Sequence, residues 1–334
     1  MTPEKVRQLT VEDLGLVSVT AATPEAASPA LSAADTTSED LKLPEGDPVL
    51  AQLNDAIDLG YAGIILVGPP GTSKSWYAKR LAQAFAGDAT ATEFVQFHAS
   101  YQYEDFMVGF VPDDQGRFRP VRRTLPLFCK KAIDRPDVQH VLVIDEISRC
   151  DAARVFGEAL TYVEMDKRKL PFRLASGLEM TIPENLVIIA TMNPWDKGVD
   201  EMDIAFERRF GRVEMPPNPA LLRKILLDKG ATAEFVQRLL VFYQGIQDLD
   251  DEYCRLGHAY FISAVDDLSA KRIWSFSLDP FFKRACRFLP ETYKSITRMW
   301  RTMETGAPVP VLEASAAPIQ SAEPPAPEPV PGPA

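Results

Sequence analysis

Cysteine is sparse in this 334-residue chain: Cys129, Cys150, Cys254 and Cys286 stand far apart, and none belongs to a CxxC pair. That spacing gives no thiolate zinc signature and suits reduced thiols. Positive charge is in deficit as well, with 36 Lys and Arg against 47 Asp and Glu and a net charge of -11. A surface built throughout to neutralise nucleic-acid phosphates is thereby excluded, so any DNA contact is expected to be weak or indirect. Nowhere do about 18 apolar residues follow one another, the length a membrane-spanning helix needs. The opening "MTPEKVRQLTVEDLGL" also lacks a basic start leading into an apolar stretch. These absences predict a cytoplasmic chain without membrane contact. What is present is 46% hydrophobic residues, enough for one large or two modest domains.

Large apolar side chains are also missing from both ends. "AATPEAASPALSAADTTSEDLKLPEG" near the start is Ala, Ser, Thr, Pro and acid, and "GAPVPVLEASAAPIQSAEPPAPEPVPGPA" at the finish is Pro, Ala and Glu. Such segments bury too little to repay the entropy of ordering. Residues 1–46 are therefore expected to be a disordered N-terminal segment and residues 304–334 a Pro-rich disordered tail, solubilising rather than docking.

Between them the pattern changes. Asp47 reads as an N-cap and Pro48 as a first helical residue; Val49, Leu50, Leu53, Ala56 and Ile57 share a face, and Gly60 closes the helix. Apolar, β-branched runs then occur at 62–68, 93–98, 140–146 and 185–193, separated by helical stretches such as 74–86 and 151–164. Continuous apolar strands alternating with helices predict a parallel sheet covered on both faces, an α/β sandwich over residues 47–217. Past "GRVEMPPNP" the strands stop. Asn218 and Pro219 open a helix that ends at Gly230, and helical periodicity recurs at 232–248 and 278–300, predicting a small all-helical domain over residues 218–303.

The stretch Gly68, Pro69, Pro70, Gly71, Thr72, Ser73, Lys74, Ser75 ends one strand and opens a helix, the context in which such a loop cradles phosphate. Backbone N–H groups and the helix N-terminus would bind phosphate oxygens, Lys74 would reach the β- and γ-phosphates, and Ser75 would ligate Mg²⁺. Ser73 stands where glycine is usual. The cost is small if it holds α-region angles, as expected of a residue entering a helix, and its hydroxyl is free to add a phosphate contact. "VLVIDE" supplies a strand ending in two carboxylates: Asp145 to hold Mg²⁺ and Glu146 to orient or deprotonate water. "LVIIATMN" ends at Asn193, placed to bond the γ-phosphate or the water, although an asparagine before a proline also serves turns. "FERRFGRVEM" carries Arg208 and Arg209, read either as surface ion pairs with acids such as Glu207 or as an arginine finger for a neighbouring subunit.

Two further segments stand out. Residues 163–185 alternate about Ser176 and Gly177 and read as a β-hairpin. Its Lys167, Arg168, Lys169 and Arg173 would line a pore or face a partner, or form a solvated basic turn. Tyr101, Tyr103 and Phe106 lie beside Glu104 and Asp105, a setting that favours packing over base stacking.

The ordered set of phosphate loop, "VIDE", "MNPWD", "FERRF" and helical lid resembles an AAA+ NTPase. With "VQFHASYQYEDFMVGF", "IDEISRCDAARVFGEAL" and "LGHAYF" it resembles more narrowly the McrB-type motor subunit of modification-dependent restriction systems, within the dynein-related and MoxR-like clade. The resemblance covers about 47–290. It implies a nucleotide hydrolase acting in a homo-oligomeric ring, commonly hexameric, with the site at the subunit interface. It implies that Asn193 is the sensor 1 residue, that Asp196 is the acid of the MNxxD signature, and that His258 lies where other lids place a cationic sensor 2 residue. It also implies a separate effector, an McrC-like nuclease. The chain departs from the family in having "MNPWDK" for the usual MNTADR, so ATP is expected, with GTP as the alternative. Only low-complexity sequence precedes the predicted core, so recognition of methylated DNA is not expected. The alternatives are a MoxR-like chaperone acting on a protein client and a nucleotide switch that does not turn over.

Overall fold

A computed structural model of the protein describes Leu43 and residues 46–194 and 203–306, all within the compact unit Leu43–Ala334. The expected disordered tails lie outside these residues, except for Leu43 and Gly46 and for the end of the last helix, which runs on to Thr305.

The carboxylate of Asp47 accepts from the N–H of Val49 at 2.9 Å and of Leu50 at 3.1 Å, and Pro48 fills the first turn, so α1 (Pro48–Asp58) begins where its cap dictates. Strand β1 (Gly63–Val67) follows and is buried on both faces. Helix α2 (Lys74–Ala86) leads back to β2 (Thr92–Gln96). The phenol of Tyr77 on α2 donates to Asp47, joining α2 to the start of α1.

Next come α3 (Tyr103–Phe106), an antiparallel hairpin of β3 (Val108–Pro112) and β4 (Phe118–Arg122), α4 (Thr124–Ile133) and β5 (His140–Asp145). Short helices α5 (Ala152–Phe156) and α6 (Ala159–Tyr162) precede a second hairpin, β6 (Phe172–Arg173) and β7 (Glu179–Met180). Strand β8 (Leu186–Met192), α7 (Ile204–Glu207) and β9 (Gly211–Glu214) complete the α/β part.

The main sheet runs β2-β5-β8-β1-β9, all parallel. Alternate residues of its central strands enter two cores. Ile65, Val67, Leu142, Ile144 and Ile188 face one, and Ile64, Leu66, Val143 and Ile189 face the other with Leu53, Ala78 and Leu81. Each such side chain contributes about 2 kcal/mol of burial, which is why these strands are continuously apolar rather than alternating. Because β1, β5 and β8 are neighbours, their C-terminal ends open onto one crevice.

From Pro219 onward the regular elements described are helices: α8 (Pro219–Asp228), α9 (Ala233–Gln247), α10 (Asp267–Ile273), α11 (Asp279–Ala285) and α12 (Pro290–Thr305). Asn218, Thr232 and Asp266 cap α8, α9 and α10 through their side-chain oxygens. A separate core of Leu222, Leu226, Leu239, Phe242 and Trp300 holds them, with Trp274 stacked on Trp300 at 4.5 Å. The fold is a five-stranded parallel α/β sandwich followed by a helical lid.

Three local expectations change. The helix expected over 151–164 breaks at Gly157, whose φ of 49° ends α5. The run 278–300 divides before Pro290, which cannot continue a helix and instead starts α12. The β3–β4 hairpin was not anticipated, because Pro112 and Pro120 argue against strand. It closes through a turn in which Gly116 N–H donates to Asp113 O at 2.9 Å.

Candidate functional site

The loop 68–75 leaves β1, where Gly68 N–H donates to Met192 O at 3.3 Å, and enters α2. Gly71 (φ 80°) and Ser73 (φ 63°) both hold left-handed backbone, curling the loop into a concavity. Ser73 is the N-cap of α2 but its side chain caps nothing, so the first N–H groups of the helix are left for an anion. The α-region expectation for Ser73 is overturned. Its angles, φ 63° and ψ 26°, are those glycine adopts freely, and a β-carbon there costs about 1 kcal/mol. The hydroxyl is also engaged already: Ser73 Oγ lies 3.1 Å from His258 Nε2 in the lid.

Lys74 is 8% exposed and its ammonium donates to Gly68 O and Pro69 O, both at 2.8 Å. Burial pulls its pKa down to about 8, opposed by the nearby carboxylates Glu146 and Asp145. Ser75 Oγ donates to Asp145 Oδ1 at 2.6 Å. Thr191 Oγ1 donates to the same oxygen at 2.6 Å and accepts Glu146 N–H at 3.1 Å. Glu146 has left-handed backbone (φ 56°), and its carboxylate pairs with Arg149 at 3.3 Å. Asn193, buried, follows β8 directly, next to the Met192 carbonyl that holds Gly68. The phosphate loop, the two carboxylates and the asparagine thus meet at the C-terminal ends of β1, β5 and β8.

Among the described residues no cluster of three or more His, Cys, Asp or Glu could hold a metal ion. A hydroxyl and one carboxylate oxygen 2.6 Å apart suit Mg²⁺, which keeps several waters and takes its other ligands from phosphate.

Arg208 and Arg209 differ. The Arg209 side chain is 8% exposed, pairs with Glu164 Oε1 at 2.8 Å and donates to Ala205 O; that of Arg208 is 64% exposed and lies 3.4 Å from the same oxygen. Their acid is Glu164 rather than the expected Glu207. A hydrogen bond from Lys167, and then the two arginines, hold its carboxyl below the usual range. A cavity lined by Leu59, Gly60, Tyr61, Glu164, Arg208 and Arg209 opens beside the pair.

Arg168, read earlier as a pore or turn residue, is instead buried. It donates to Val163 O, Pro183 O and Leu186 O at 2.8, 2.9 and 3.1 Å. Phe106 is fully buried, and Tyr101 stacks on Phe97 at 4.6 Å, so these aromatics pack internally. Asp196 lies outside the described residues. Thr191 and Glu164 escaped sequence reading. The one available signal for Thr191 was its hydroxyl near the end of an otherwise apolar strand. No helix among the described residues is long and apolar enough to cross a membrane.

Residues 63–210 match the AAA domain of the dynein-related subfamily. Over 224 residues the chain is 35% identical to the type IV methyl-directed restriction enzyme EcoKMcrB subunit of Escherichia coli K12, covering 61% of this chain and 48% of that protein. It is 26% identical over 187 residues to the type II restriction enzyme BsuMI component YdiS of Bacillus subtilis 168, covering 44% of this chain and 54% of that one. An ATP-dependent zinc metalloprotease YME1 homolog of Caenorhabditis elegans is 31% identical over 165 residues, 49% of this chain and 19% of its own. The chain spans about half the length of the two restriction components it matches.

Proposed function

Since this chain carries a dynein-related AAA domain at residues 63–210 and is of the McrB-like type, we propose that it hydrolyses ATP, with GTP as the alternative, in the presence of Mg²⁺. The observation that carries the reading is the meeting of Ser75 and Asp145 at 2.6 Å near the Lys74 ammonium, because a hydroxyl and a cation from the start of α2 are brought to a carboxylate at the end of β5, 70 positions on. Gly68, Pro69, Pro70, Gly71, Thr72 and Ser73 shape the cradle, and Lys74 turns from its own loop carbonyls to phosphate oxygens. Ser75 and Asp145 hold the cation. Bound Mg²⁺ supplies neutralisation of the phosphate charge. Glu146 accepts a proton from, or orients, the attacking water, and Asn193 positions the γ-phosphate or that water. His258 borders the nucleotide from the lid, and Asp196 keeps the role that the resemblance implies for the acid of its motif.

Arg208, exposed, is the finger offered to a neighbouring copy; Arg209, buried on Glu164, holds its base. The chain therefore works as a homo-oligomeric ring, hexameric in this reading, with the sandwich over 47–217 and a lid that begins at 218 and ends with α12. The two matched restriction components favour a separate effector, an McrC-like nuclease driven or regulated by the ring, over a MoxR-like chaperone's protein client. DNA contact is indirect or weak.

The test is hydrolysis of ATP and GTP by the wild type and by Glu146→Gln, the latter expected to be at least about 100-fold slower. If neither nucleotide is consumed at any protein concentration, with or without copurifying partners, the enzyme reading fails. A single-subunit mass by light scattering with ATP and Mg²⁺ would remove the ring.

A further inference from the structure

The segment 257–260 of the lid lies directly on the phosphate loop. Gly257 N–H donates to Pro70 O at 2.8 Å, and Ala259 N–H donates to Gly71 O at 2.9 Å. The approach leaves no space for side chains: a β-carbon on Gly257 would sit 2.0 Å from the Gly71 carbonyl carbon. Into this contact His258, 5% exposed, brings Nε2 to 3.1 Å from Ser73 Oγ. Ser73 holds the left-handed angles that disfavour any residue with a β-carbon. The serine is therefore a disfavoured residue in a position fixed by a partner 185 residues away.

The direction of that hydrogen bond follows from the other ring nitrogen. His258 Nδ1 is buried with no partner among the described residues. A hydrogen on Nδ1 would bury an unpaired donor, whereas a hydrogen on Nε2 leaves only a bare lone pair there, the cheaper arrangement. Burial also lowers the pKa of His258, which favours this neutral ring. With Nε2–H donating, Ser73 Oγ accepts and keeps its own hydrogen to give. Ser73 is only partly buried, so that hydrogen has an outlet.

We propose that His258 and Ser73 form a lid-to-phosphate relay: His258 Nε2–H donates to Ser73 Oγ, and Ser73 Oγ–H donates to a phosphate oxygen of the bound nucleotide. No proton is transferred; both are positioning residues. The lid senses an occupied loop through a hydroxyl that glycine, usual at position 73, cannot supply. This rests on the nucleotide reading of the site.

The test uses the full chain and the variants Ser73→Gly, His258→Ala, their double mutant and His258→Gln. Glycine suits the angles at position 73, so the first variant should fold. Two quantities are measured: the dissociation constant of a fluorescent ATP analogue, and deuterium uptake across 257–260 with and without ATP. Each single variant is expected to weaken binding roughly 3- to 10-fold, and the double variant no more than the weaker single. His258→Gln, whose amide can donate to Ser73, should recover binding to within about 2-fold of wild type. Uptake at 257–260 should be faster in nucleotide-free Ser73→Gly than in wild type, and ATP should slow it less. Single effects that multiply in the double variant, or Ser73→Gly that binds and exchanges like wild type, overturn the relay and leave the nucleotide reading intact. If the wild type binds neither ATP nor GTP, the nucleotide reading itself falls, and with it the phosphate half of the relay. Unchanged nucleotide-free uptake in Ser73→Gly then removes the lid half too.

Discussion

Thr191 donates its hydroxyl to Asp145 Oδ1 at 2.6 Å, the same oxygen that accepts from Ser75 Oγ. The threonine stands on β8 and the aspartate on the neighbouring β5, so one strand sets the rotamer of the other's terminal carboxylate. Thr191 also accepts Glu146 N–H at 3.1 Å, which helps hold Glu146 in left-handed backbone. One hydroxyl thereby holds the carboxylate of Asp145 and the backbone of Glu146.

Thr191→Val keeps the shape and removes both hydrogen bonds. It is expected to destabilise the fold by about 1–2 kcal/mol and to slow hydrolysis roughly tenfold, with a higher Mg²⁺ requirement. Denaturant unfolding and a Mg²⁺ titration of turnover measure these separately, and Thr191→Ser should restore the Mg²⁺ midpoint. A midpoint unmoved in Thr191→Val would mean that Asp145 needs no such support.

Arg208 and Arg209 should separate by phenotype because their surroundings differ. Arg209→Ala removes the nearly buried partner of Glu164 and is expected to cost about 2 kcal/mol of stability. Arg208→Ala removes an exposed side chain, so its stability should change by less than about 0.5 kcal/mol while hydrolysis falls about 1,000-fold. Mixing Arg208→Ala with Glu146→Gln should recover part of the activity, since the proposed ring would then contain some interfaces with both groups intact. Activity that does not reappear on mixing argues against a finger acting in trans.

The strands were legible because sheet burial on both faces leaves a continuous apolar run, as in Ile64 to Val67, and the loop was legible because its glycines and Lys74 sit between strand and helix. What could not be read depended on contacts distant in sequence. The Ser73 hydroxyl meets a histidine 185 positions later, and no local pattern announces that contact. Glu164 meets Arg208 and Arg209 only through folding, from 44 positions away in the case of Arg208. Arg168 read like Lys167 and Lys169 as a pore, partner or solvated-turn residue, because a charged run does not reveal which member turns inward.

Arg168 leads to a prediction of stability without function. Arg168→Met deletes donors to the three carbonyls of Val163, Pro183 and Leu186 and should destabilise by about 3 kcal/mol, although burial already lowers the arginine's pKa to about 10 and makes its charge costly. Arg173→Ala, whose side chain is 71% exposed, should change stability by less than about 0.5 kcal/mol. Urea unfolding compares the two directly. An Arg168→Met protein as stable as wild type would mean that water satisfies those carbonyls.

Gly257 offers the sharpest steric test of lid docking. A methyl group there meets the Gly71 carbonyl carbon at 2.0 Å and Thr72 N at 2.2 Å, and these are backbone atoms that cannot rotate away. Gly257→Ala must therefore push the segment 257–260 off the loop and break the hydrogen bonds to Pro70 O and Gly71 O. Its own φ of -76° is ordinary for alanine, so strain at residue 257 cannot be the cause of any effect. The lid keeps its separate core of Leu222, Leu226 and Phe242, so helix content should be retained while ATP binding weakens by about tenfold or more. Circular dichroism and nucleotide titration read the two together. Wild-type affinity in Gly257→Ala would show that the loop binds nucleotide without the lid resting on it.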